Sequence, residues 1–123
     1  MEEPVYLYVC RAVTVVDGDT LDVDVDLGFG VWTRQRIRLL GVNAPEHGTP
    51  DGDAATAFTA DWLRQHAAEL TLRTTKKEKY GRYLGAVLSG ARSLNDDLVT
   101  AGHAVPYDGG RRTIGVPVVL AEK

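Results

Sequence analysis

The chain has 123 residues, 44 % of them apolar and 25 % charged, with a formal net charge of -3. That is the size and balance of one globular domain. No apolar run approaches the roughly 18 residues of a membrane span, and the acidic start with Val5–Val9 behind it is too short for a signal-peptide core. These features give no candidate membrane-spanning helix and lead us to expect an intracellular protein without a membrane partner, in a bacterial or phage cytoplasm. The single Cys10 excludes an internal disulfide and sits in an apolar run, as a small buried hydrophobe does.

Val5 to Val16 is rich in β-branched and aromatic residues and predicts a first strand. Asp17-Gly18 marks a turn. From Asp19 onward, Leu21, Val23, Val25 and Leu27 alternate with Asp22, Asp24 and Asp26. Period two predicts a half-buried strand with one acidic face. Asp19 shares the parity of the apolar row, so its carboxylate leans toward the core, where it needs a positive partner. The acidic run is not a calcium loop, because its glycine comes one place late and Thr33 stands where the closing Glu belongs.

Gly28-Phe29-Gly30 predicts a hairpin turn. The third strand runs from Val31 to about Leu40, with Ile37 and Leu39 on one face and Arg36 and Arg38 on the other. Gly41 to Gly52 reads as a long polar loop. Ala54 to Leu70 reads as a helix capped by Asp53, with Phe58, Trp62, Leu63, Ala67 and Leu70 as its apolar stripe. Leu70 to Thr75 and Arg82 to Leu88 supply two more strands. Leu94, Leu98 and Ala101 predict a short helix ended by Gly102. Val116 to Leu120 is an apolar tail without an assignment. The expected fold is α+β: a five-stranded OB-type barrel with one helix between strands 3 and 4 and a short helix after strand 5. We expect one domain over residues 1–123, with an irregular tail over about 106–123.

The acid and base are segregated along the chain. Five aspartates fall between Asp17 and Asp26, then Arg34, Arg36 and Arg38 follow, and Arg73, Lys76, Lys77, Lys79 and Arg82 cluster later. Alternating solvated strand faces explain most of these charges. The plain reading of Asp17 is a turn cap, and that of Glu46 a loop carboxylate. Arg38 and Arg82 read plainly as surface arginines with buried stems. His47, His66 and His103 lack metal spacing. The chain has no Ser-His-Asp grouping, no Cys-His zinc pattern and no phosphate-cradling glycine loop. Oxygen donors and two guanidinia are what remain.

The ordered set Val16-Asp17-Gly18-Asp19-Thr20, Arg38 to Glu46 (Arg-Leu-Leu-Gly-Val-Asn-Ala-Pro-Glu), Ala57-Phe58-Thr59, Lys79-Tyr80-Gly81-Arg82, and Leu94-Asn95 with Leu98-Val99 and Gly102 resembles the staphylococcal nuclease (thermonuclease) family. The motifs span about residues 10 to 107. The resemblance implies an OB-type barrel and a phosphodiesterase. It implies a Ca²⁺ held by Asp19, Asn43 and the backbone carbonyl of Ala44. It also implies that Glu46 activates water, that Arg38 and Arg82 hold the phosphate, and that Tyr80 and Tyr107 line a nucleotide pocket. DNA, single-stranded by preference, and also RNA are the implied substrates of a monomeric enzyme.

Two departures from the family pattern stand out. The family has an aspartate where this chain has Asn43, so the site loses one negative charge; weaker Ca²⁺ binding and tolerance of Mg²⁺ or Mn²⁺ are expected. The family's final helix also has no clear counterpart after Gly102. The competing expectation is a nucleic-acid-binding module with a decayed site, a use that some relatives joined to Tudor domains make of this barrel. A protein-interaction barrel needs no such site.

Overall fold

A computed structural model describes residues 6–77 and 83–107. The alternation read in the second strand determines how the sheet packs. Leu21, Val23 and Val25 of β2 (Thr20–Asp26) are buried, while Asp22, Asp24 and Asp26 between them are partly exposed. β2 pairs antiparallel with β1 (Tyr6–Asp17) on one side and with β3 (Trp32–Leu39) on the other. The turn at Gly28-Phe29-Gly30 takes all three residues to positive φ, a region glycine enters without strain, and the Leu27 and Val31 amides bond Val31 O and Gly28 O across it.

β1 is twelve residues long and serves two neighbours. Its Cys10–Asp17 half pairs with β2, and its Tyr6–Val9 half pairs with β5 (Thr71–Lys77). Register shifts between Ala12 and Thr14 and between Val15 and Asp17 bend it, as bulges do where a sheet must curl. β5 pairs with β6 (Tyr83–Ser89), and β6 closes the ring by running parallel to β3, with Arg38 opposite Leu84. The result is a closed five-stranded mixed barrel of the expected OB type. β4 (Val42–Asn43) pairs with β8 (Val105–Pro106), and β7 (Arg92–Ser93) extends β6. Leu21, Val23, Ile37, Leu39, Leu72, Val87, Leu94 and Leu98 fill the interior at 1 % exposure or less. Complete burial of each such side chain contributes about 1.5–3 kcal/mol.

The long helix, α1, spans Pro50–Gln65, not 54–70. Thr49 is its N-cap, accepting from the Gly52 amide at 3.0 Å, and Pro50 at the first helical position needs no N–H partner. Asp53 is not the cap. Its carboxylate accepts instead from the Gly48 amide at 2.7 Å. The His66 amide bonds Trp62 O, and a single 3₁₀ turn (Ala67–Glu69) follows. Ala55, Thr59, Trp62 and Leu63 form the buried face. Ala67 is exposed, and Leu70 is buried as the lead into β5, where its carbonyl accepts from Cys10 N at 3.1 Å. α2 (Leu94–Thr100) is capped by Ser93. Of the tail expected from 106, Pro106 belongs to β8, and residues 108–123 lie outside the described ones. Among the described residues no helix is long and apolar enough to cross a membrane.

Buried Asn95 locks α2 to the barrel. Its Oδ1 accepts from Val87 N at 3.2 Å, and its Nδ2 donates to Leu40 O at 2.9 Å and Gly85 O at 3.2 Å. Asn95→Ala takes the side-chain partner from Val87 N and Leu40 O, while Gly85 O keeps the Leu40 amide at 2.8 Å, so denaturant unfolding should show a loss of about 2–4 kcal/mol; a loss below about 1 kcal/mol would contradict this bonding. Gly52 offers a test with a diagnostic sign. A Cβ there would lie 1.5 Å from the Glu46 carbonyl oxygen. Gly→Ala in a helix ordinarily gains up to about 1 kcal/mol, whereas here overpacking should cost about 1–3 kcal/mol. A Gly52→Ala chain as stable as the parent would show that the loop does not press on the helix.

Candidate functional site

The Asp17-Gly18-Asp19-Thr20 turn joins β1 to β2, with Asp17 paired to Thr20. α1 presses on it from outside. A Cβ on Gly18 would come within 2.7 Å of Ala55 Cβ and 3.2 Å of Ala44 Cβ, and the Thr59 hydroxyl donates to Gly18 O at 2.6 Å. So pinned, the turn drives Asp19 inward, where it is 5 % exposed. A buried carboxylate is costly unless its oxygens are satisfied. Here Oδ1 accepts from the Thr20 hydroxyl at 3.0 Å, Oδ2 accepts from Ala44 N at 2.8 Å, and Arg38 Nη1 lies 3.4 Å from Oδ2. The Asp19 carbonyl also accepts from Leu39 N at 2.8 Å. One residue thereby ties the β1–β2 turn, the end of β3 and the following loop together.

Arg38 is the positive side of this cluster, its side chain 12 % exposed. Nη1 donates to Val42 O at 2.7 Å and Leu39 O at 3.1 Å, and Nη2 donates to Asn43 Oδ1 at 3.0 Å. A guanidinium carries five N–H donors. By count, the Nε–H and one Nη2–H have no acceptor among the described residues. The Tyr107 ring centroid lies 5.8 Å from the guanidinium carbon, and the Tyr107 amide donates to Gly41 O at 2.8 Å. β4 and β8 thus bring the far end of the described chain to the same corner.

The loop after Asn43 carries Glu46, whose residue is exposed. The backbone around it is held at several points. Thr49 Oγ1 donates to Glu46 O at 3.1 Å, and the His47 amide donates to Asp17 Oδ1 at 2.9 Å. The His47 ring Nδ1 lies 2.5 Å from the same oxygen. Burial pushes the Asp17 carboxyl up, but the His47 amide and imidazole, with Arg38 behind them, outweigh it and hold it below the usual carboxylate range. Cys10 lies elsewhere, and burial raises its thiol to about 11, which leaves it unreactive.

The structure therefore brings together Asp19, Arg38, Asn43 and Ala44, with Tyr107 beside them and Glu46 in the adjoining loop. Arg82 and Tyr80 lie outside the described residues. Among the described residues, no group of three or more His, Cys, Asp or Glu side chains is placed to hold a metal ion. The donors present are hard oxygens: one carboxylate and one amide, both facing Arg38. They suit an oxygen-preferring cation in kind, with one carboxylate to offset its charge. Thr20 and Thr59 lie in the motifs, and Asp17 and His47 have plain readings, but the sequence assigns no role to either threonine and does not pair Asp17 with His47. Thr59 falls one helical turn from Ala55 and Leu63, which marks the buried face. The Asp17–His47 pair leaves no local signal across thirty residues.

His47 gives this corner a measurable charge state. The hydrogen bond and charge of Asp17, with smaller help from Asp53 and Glu46, raise its pKa above 6.5. A raised folded-state value means a stability contribution present below pH 6.5 and lost as pH climbs through the raised value. NMR titration of the His47 ring should give a midpoint above 6.5, moving down in Asp17→Asn. A midpoint at or below 6.5 in the parent chain would contradict the pairing.

Comparison with known proteins gives this arrangement a family. A model described as staphylococcal nuclease homologue matches residues 36–113, more than half of the chain. The thermonuclease of Staphylococcus intermedius is 35 % identical over 96 residues, covering 73 % of this chain and 54 % of that protein. The thermonuclease of Staphylococcus hyicus is 32 % identical over 100 residues, covering 76 % and 56 %. A micrococcal nuclease of Shigella flexneri is 41 % identical over 85 residues, covering 63 % and 40 %. The chain spans about half the length of the curated relatives it matches. On the family match and the closed barrel together, the chain belongs to the staphylococcal nuclease family.

Proposed function

We propose that this chain hydrolyses phosphodiester bonds of nucleic acid, with single-stranded DNA as preferred substrate and RNA as a second one. The observation that carries this reading is the half-used guanidinium of Arg38. Its Nη1 edge is anchored on two backbone carbonyls, which leaves an Nε–H and an Nη2–H for two oxygens of one phosphate. That bidentate grip is what a guanidinium offers and an ammonium does not. The names of its relatives, thermonuclease and micrococcal nuclease, point the same way.

Little covalent work falls to the protein in phosphodiester hydrolysis; positioning and charge stabilisation dominate. Arg38 binds and orients the scissile phosphate, and Arg82 supplies the second guanidinium. Glu46, held beside this corner by its loop, orients the attacking water and accepts its proton. Tyr107, and Tyr80 with it, gives the base or sugar a ring to rest on, which tolerates any sequence. Asp19, Asn43 and the Ala44 carbonyl would hold a Ca²⁺, which would supply Lewis-acid stabilisation of the phosphate charge. Mg²⁺ and Mn²⁺ are candidate substitutes. The active unit is a monomer folded as one domain. A second reading, a binding barrel without hydrolysis, draws on Asn43: its amide is engaged by Arg38 and adds no negative charge.

Digestion of labelled single-stranded DNA separates the two. The enzyme predicts chelator-sensitive cutting, reduced about 10²–10⁴-fold in Glu46→Gln and strongly in Arg38→Lys. Binding without cutting, insensitive to chelator, would favour the module. For the cation, Asn43→Asp restores a charge to the ligand set and should tighten Ca²⁺ binding in calorimetry. Equal or weaker binding would remove Asn43 from that set.

A further inference from the structure

We infer that Asp17 and His47 form a latch that positions the Glu46 loop for catalysis, an inference that rests on the hydrolytic reading above. The two aspartates of the Asp17-Gly18-Asp19 turn face the same loop and hold it at points three residues apart. Asp19 Oδ2 accepts from the Ala44 amide at 2.8 Å, and Asp17 Oδ1 accepts from the His47 amide at 2.9 Å. Glu46 lies between these two holds.

The first hold is buried and braced by Arg38. The second lies at the surface: the His47 side chain is 61 % exposed and that of Asp17 22 %. A lone amide bond there competes with water. The imidazole adds a second donor on the same carboxylate oxygen, at 2.5 Å, and so doubles the tether where solvent weakens it. Pro45 has no N–H to contribute, and the Glu46 side chain is exposed, so the direction of its carboxylate depends on the backbone on either side. The Gly48 amide on Asp53 and the Thr49 hydroxyl on Glu46 O secure the helix side of the loop. His47 secures the barrel side.

His47 is thus a positioning residue acting through Glu46. Its hydrogen bonds go to Asp17 Oδ1, and none of the bonds to Arg38 or to the oxygens of Asp19 and Asn43 comes from it. Misplacement of a reacting group by about 1 Å can cost up to 10²-fold in rate. An exposed pair contributes little to global stability. The signature is therefore kinetic.

The test is a set of variants of the full chain. In His47→Ala, kcat for single-stranded DNA should fall roughly tenfold, with KM within about twofold and an unchanged melting temperature. His47→Asn, which places an amide nitrogen at the same δ position as the ring Nδ1, should recover most of the loss. An unchanged kcat, or a fall matched by lost melting temperature, would overturn the latch. If the parent chain cuts no nucleic acid, the hydrolytic reading fails by itself, and amide exchange still decides the geometry. Exchange at His47 and Gly48 should quicken in His47→Ala relative to the parent. Identical exchange would overturn the latch independently of activity.

Discussion

Everything at the open corner of this barrel depends on one buried carboxylate. Asp19 cannot sit at 5 % exposure without opposite charge and hydrogen-bond donors, because an uncompensated buried ion costs several kcal/mol. Its requirements draw in Arg38 from β3, the amide of Ala44 from the next loop and the hydroxyl of Thr20 beside it. Those same contacts fix Asn43 and bring the backbone that leads to Glu46. The need to satisfy Asp19 and the assembly of the candidate site are therefore one constraint, imposed by a turn that α1 holds shut through Ala55 and Thr59.

The net charge of -3 hides how local the electrostatics are. On the outer face of the barrel, Arg34 and Arg36 reach across to Asp24 and Asp22 in two-pronged pairs. Each aspartate's hydrogen bonds to its arginine hold its carboxyl below the usual range. The acidic run of β2 is thus paired by the basic run of β3, register by register. Arg38, next in that alternation, has no such surface partner among the described residues. It turns to the barrel's end, meets backbone carbonyls and keeps donors in reserve. This difference between Arg36 and Arg38, two residues apart on one strand, separates a paired surface from the corner proposed to bind the phosphate.

Much of this was legible in the sequence because it follows short-range rules. The parity of Asp19 with Leu21, Val23 and Val25 placed its carboxylate inward, and the Gly28–Gly30 turn set the pairing of β2 with β3. Other features depend on chemistry hidden in a polar stretch or on distance along the chain. Thr49-Pro50 is a good helix start, but it lies among Gly, His and Asp residues that read as loop, so Asp53 looked like the cap. The helix ends at Gln65 because the chain must deliver Leu70 to pair with Cys10, a tertiary demand that extended the apparent apolar stripe beyond the helix. The parallel closure of β3 on β6, which makes the barrel, leaves no periodic trace. Nor does the bond between Asp17 and His47. Arg82 and Tyr80, expected at the site from the resemblance, lie outside the described residues.

The central proposal is that Asp19, Arg38, Asn43 and Ala44, which meet at one corner, would receive a cation and a phosphate together. The most direct measurement is an amide chemical-shift titration of the labelled chain with Ca²⁺ and a short single-stranded oligodeoxynucleotide. The account predicts perturbations concentrated at residues 18–20, 38–47 and 107, with the outer-face pairs of Asp22, Asp24, Arg34 and Arg36 unmoved. Perturbations centred on that outer face, or none at the Asp19 corner, would contradict it.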